Sequence, residues 1–75
     1  MASTPRIDGF DISFEREADG RWIAEASGLP GALAYGDSQQ AAELRVRELA
    51  LRILADRIAH HEAVPEFVER LFRAS

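Results

Sequence analysis

"FDISFEREADGRWIAEA", residues 10–26, is the stretch on which the fold turns. Over residues 10–15 the side chains alternate strictly: Phe10, Ile12 and Phe14 fall on one side, Asp11, Ser13 and Glu15 on the other. Such alternation describes a strand with one wet face. Residues 21–26 repeat the pattern less cleanly, with Trp22, Ala24 and Ala26 on one side and Arg21, Ile23 and Glu25 on the other. Register then follows from the faces, because a slip of one residue would turn every apolar side chain toward water. Pairing Phe14 with Ala24 and Ile12 with Ala26 aligns the two apolar faces. Ala18, Asp19 and Gly20 are left as a three-residue loop, with Gly20 supplying the left-handed residue such hairpins use.

Working outward, "SGLPG" at 27–31 ends the second strand, since Pro30 cannot donate to a ladder and Gly28 and Gly31 are free to take positive φ. The segment "ALAY" at 32–35 suits a short third strand, and Gly36 releases the chain into a helix. Its N-cap is Asp37, which with Gln40 fits a capping box, or Ser38, equally permissible by residue type. A helix is predicted over about 38–60, a run without proline or glycine. The tail "VPEFVERLFRAS" carries a helical pattern at Phe67, Val68, Leu71 and Phe72, yet "RLFR" also reads as an edge strand.

The long helix has two apolar stripes. Ala42, Val46, Leu49 and Ile53 form one, and Leu44, Leu51, Leu54 and Ile58 form a second on roughly the opposite side. Charged seams separate them, with Arg45, Glu48, Arg52 and Asp56 along one edge and Glu43, Arg47 and Arg57 along the other. One sheet needs only one stripe. Either the tail folds back to cover the second, or Leu44, Leu51, Leu54 and Ile58 meet another copy of the chain, a contact that the seven-residue spacing of Leu44, Leu51 and Ile58 suits.

Seventy-five residues make one domain, close to the smallest that folds without a staple, so a homo-oligomer is the prior expectation. The absence of cysteine rules out disulfides, thiolate metal sites and cysteine nucleophiles. No stretch reaches the roughly 18 apolar residues of a membrane span, and no apolar core follows "MASTPR", so cytoplasmic residence and no membrane partner are expected. A net charge of −4 works against general nucleic-acid binding, and all nine basic residues are arginine. Asp11, Glu15 and Glu25 share the polar sheet face, which raises an acid-held metal, but the favoured reading is a solvated face, since alternating polar residues are what any half-buried strand shows. His60 and His61 are adjacent, point about 100° apart on a helix, and suit a helix C-terminus rather than a metal. The serines lack a nucleophile elbow, and the glycines give neither GxGxxG nor a P-loop. No catalytic residue, metal ligand or cofactor site emerges.

The order of three short pieces is more specific than any one of them: the hairpin of Asp19, Gly20, Trp22 and Ala24, the "LPG" of Leu29, Pro30 and Gly31, and the "GDS" of Gly36, Asp37 and Ser38 before an alanine-rich helix. Together they make residues 10–58 resemble the N-terminal domain of HicB-type antitoxins and their single-domain relatives. The family often has cysteine after "LPG", where this chain has Ala32, and glutamate after the cap, where it has Ala41. The resemblance implies an α+β fold, a small antiparallel sheet in β-β-β-α-β order, partly ribonuclease-H-like without the catalytic acids, with one long helix on one face. It implies a single domain: a flexible arm over 1–9, strands within 10–36, the helix over 38–60, and a last strand within about 69–73 that returns beside the first. It also implies a non-catalytic antitoxin-like protein that binds a HicA-type mRNA-cleaving toxin. Many relatives bind DNA through a further C-terminal domain, which this stretch does not contain, so DNA binding is not expected of it. The contact residues expected from the polar face and hairpin are Asp11, Glu15, Trp22 and Glu25. The alternative is an orphan HicB-like oligomeric binding protein without a toxin.

Overall fold

The computed structural model describes residues 9–72 and 74, so the arm expected over 1–9 lies, apart from Gly9, outside the described residues. Five elements follow in order: β1 (Ile12–Arg16), β2 (Trp22–Ala26), β3 (Leu33–Gly36), α1 (Gln39–Ala59) and α2 (Glu66–Glu69). The three strands form one antiparallel sheet in the order β1-β2-β3, with α1 packed on one face, a small α+β fold. Among the described residues no helix is long and apolar enough to cross a membrane.

The hairpin register is the one that facing apolar side chains demand. Ile12 pairs with Ala26 and Phe14 with Ala24. The loop is closed by Glu17 N–H donating to Arg21 C=O at 2.7 Å and Gly20 N–H to Glu17 C=O at 2.9 Å, and Gly20 takes φ 92. After β2, the turn across Leu29 and Pro30 uses Gly28 and Gly31 at φ 85 and 89 and buries Leu29. The helix cap is Ser38, not Asp37: its Oγ accepts from the Ala41 N–H at 3.1 Å, so no capping box built on Asp37 forms.

The seam between sheet and helix is built of small residues. Ala24, Ala26, Ala32, Ala42 and Ala50 are buried there with Leu29, Val46, Leu54 and Val68. Gly36 belongs to the same close approach: a Cβ at this position would lie 2.4 Å from the Ala42 backbone nitrogen and 2.8 Å from the Ala41 carbonyl carbon. Only a residue without a side chain lets β3 pass so near the start of α1.

Three expectations need correction. The buried line of α1 runs through Ala42, Val46, Ala50 and Leu54, with Leu49 and Ile53 half-buried beside it. Leu54 therefore belongs to the core of the single chain and not to an outer interface stripe, because it lies between the two stripes, on the side facing the tail. No strand forms over the described part of 69–73: a short helix, α2, precedes it and ends at Glu69, with a turn at Arg70 and Leu71. Residue 73 of the expected strand lies outside the described residues. Local chemistry decides this: Pro65 C=O accepts from Val68 N–H at 2.9 Å to open the turn, and Arg70 reaches Glu66 one turn back at 3.6 Å. Finally, the fold-back covers only part of the second stripe. Val68 joins the core and Phe67 meets Phe10 edge to face at 5.0 Å, whereas Leu44, Leu51 and Ile58 remain 65%, 66% and 49% exposed.

Candidate functional site

Among the described residues no element covers the face of the sheet away from α1. Two cross-strand rows build it: Glu15, Ile23 and Tyr35 in one, Ser13, Glu25 and Leu33 in the next. All six side chains fall on this face because their positions alternate with the core-facing Phe14, Ala24 and Ala34. Ile23 is half-buried between its neighbours, while Leu33 and Tyr35 are exposed. A shallow hollow of about 320 Å³ lies here, lined by Ser13, Phe14, Glu15, Ile23, Glu25 and Leu33.

The charge on this face is lopsided. Asp11, Glu15 and Glu25 are exposed and acidic. Glu15 and Glu25 are diagonal neighbours across β1 and β2, close enough for like charges to oppose one another. The cation at the hairpin end is already engaged: Arg21 lies 4.6 Å over the Tyr35 ring, and its Nε donates to Asp19 Oδ2 at 2.8 Å. Asp19 in turn accepts the Arg21 backbone N–H on Oδ1 at 3.0 Å. That backbone hydrogen bond, helped by the Arg21 guanidinium, holds the Asp19 carboxyl below its ordinary value. The pair thus braces the loop, with Arg21 directed to Asp19 rather than to Glu15 or Glu25.

Of the contact residues expected from sequence, Asp11, Glu15 and Glu25 share this face. Trp22 does not: it points to the helix side of β2, packs half-buried against the core, and carries the Arg16 guanidinium 6.0 Å from its ring centre. Its position follows from the same alternation that places Ala24 and Ala26 inward. Ile23, Leu33 and Tyr35 were missed. Their signal was present, since three apolar side chains on the wet side of two paired strands are more than a solvated face requires.

Other chemistry does not assemble. Among the described residues no three acids or histidines lie close enough together to hold a metal ion. His60 caps the end of α1, its Nδ1 2.8 Å from the Asp56 carbonyl oxygen. Along β1, where α1 makes little contact, an apolar groove of about 360 Å³ opens between Ile12, Leu54 and the tail residues Phe67 and Leu71. What the sheet face offers is an apolar centre at Ile23 and Leu33 beside the carboxylates of Glu15 and Glu25. Comparison of the chain with protein-family models, with curated proteins and with solved structures finds no match.

Proposed function

We propose that this chain is a non-catalytic, antitoxin-like protein that binds a HicA-type mRNA-cleaving toxin and blocks its active surface. The observation that carries this reading is the open sheet face, on which Glu15, Glu25 and Asp11 surround Ile23 and Leu33. A toxin that cleaves RNA must attract phosphate, so its working surface is basic, and a carboxylate-rimmed apolar patch competes for it. Burying Ile23 and Leu33 supplies non-directional attraction, while the acids set orientation and rate of encounter. A cation arriving between Glu15 and Glu25 also relieves their mutual repulsion.

The test pairs the purified chain with a HicA-type toxin encoded beside its gene and follows RNA cleavage. The intact chain should suppress cleavage stoichiometrically, and Glu15→Arg combined with Glu25→Arg should weaken binding by about 100-fold or more while leaving the circular dichroism spectrum unchanged. Neither binding nor suppression by the intact chain refutes the proposal. A second reading, an oligomeric relative that takes a ligand other than a toxin, has the apolar groove beside β1 on its side. It predicts that the chain binds no toxin yet gains thermal stability with an apolar small molecule.

A further inference from the structure

The outer flank of α1 is shaped differently at its two ends. Toward the start of the helix Leu44 stands out, 65% exposed, and borders neither the groove beside β1 nor the recess at the far end of α1. Toward the end, Ile58 forms one wall of a recess of about 550 Å³ whose other apolar walls are Val64, Val68 and Phe72. Leu51 lies midway between the two, seven residues from each. A knob and a hollow therefore sit about 21 Å apart on one straight element, at 1.5 Å per residue.

We infer that this flank is closed by a second copy of the chain, its α1 running antiparallel and a two-fold axis passing beside Leu51. Under that operation residue 44 of one copy comes opposite residue 58 of the other, so each Leu44 enters the recess of its partner, twice per pair. A parallel arrangement would set knob on knob and hollow on hollow. The recess is rimmed by Glu62 and Glu69, and Arg47 lies one turn from the knob on the side toward Leu51. Arg47 is held by Glu43 within the single chain, which keeps its stem alongside Leu44. The apolar area is continuous, because Leu51 borders the groove that ends at Leu71, itself 69% exposed, and Phe72 is 71% exposed. These large exposed side chains on one side of so small a chain are what an isologous interface needs at its centre. The acidic sheet face lies on the opposite layer, so pairing through α1 leaves both copies of that face outward. The inference stands independently of any toxin.

The absence of cysteine makes the geometry directly measurable. The chain in solution should have twice the 8.3 kDa mass of one copy by light scattering, and Leu44→Asp should weaken the pair by about 30-fold or more without loss of helical signal. With a short bis-maleimide, Leu51→Cys should cross-link to itself. Leu44→Cys should not, but should cross-link to Ile58→Cys when the two variants are mixed. A single-copy mass at millimolar concentration overturns the inference, and so does self-cross-linking of Leu44→Cys, the mark of a parallel pair.

Discussion

At the end of α1, His61 takes φ 58 so that two carbonyls can be satisfied: its own N–H donates to Ile58 C=O at 3.1 Å, and Glu62 N–H donates to Arg57 C=O at 2.7 Å. This is the paired closure that glycine ordinarily provides, because a Cβ crowds the carbonyl in the left-handed region. His61→Gly should therefore stabilise the chain by about 1 kcal/mol, raising the melting midpoint by about 4–8 °C in a calorimetric scan. An unchanged or lowered midpoint would mean that the imidazole holds contacts worth as much as the strain. The adjacent histidines were read from sequence as helix-end residues, and the structure places them there. The left-handed turn itself was not legible, since histidine gives no sign of positive φ.

Among the elements, those whose patterns are local could be read from the sequence. Phe10 to Glu15 alternate without a break, so the face, the register and the loop of the hairpin all follow from one requirement. The tail shows the opposite case. Its local pattern at Phe67, Val68, Leu71 and Phe72 is helical, and the structure follows that pattern over Glu66–Glu69 rather than the strand that family resemblance implied. The inward line of α1 was displaced for a related reason: alanines such as Ala50 carry little hydropathy signal, yet small size is what admits them to the seam. Contact between β3 and α1 depends on the same economy of volume. Gly36→Ala should force the strand and the helix start apart and cost about 2 kcal/mol or more, read as a fall in urea midpoint at constant slope. A neutral result would show that the helix start yields freely.

For the molecule as a whole, the two layers present two unlike surfaces. One is a sheet face with carboxylates around Ile23 and Leu33, the other a helix flank of leucine and isoleucine beside an exposed tail. Sequence reading found the helix flank, because Leu44, Leu51 and Ile58 repeat every seven residues, but took Leu54 for part of it. It found the acids of the sheet face and missed the apolar residues beside them, although Ile23, Leu33 and Tyr35 stand on the same side of two paired strands. With net charge −4 and Asp11, Glu15 and Glu25 on that face, association with a basic partner should be fast at low salt and slow steeply between about 50 and 500 mM salt in stopped-flow measurements. Pairing of two copies through the leucine flank should respond far less. Equal salt sensitivity of the two would contradict this division of labour.

The methyl-lined seam has one more consequence, for how this chain tolerates change. At Ala24, Ala26, Ala32, Ala42 and Ala50 the side chain is a single methyl, so any added carbon wedges the layers, while shortening to glycine inside α1 or β2 costs only about 1 kcal/mol of backbone order. Size therefore limits these five sites first: glycine or serine keeps the spacing of the layers at the cost of backbone order or of a buried hydroxyl, whereas valine forces the layers apart.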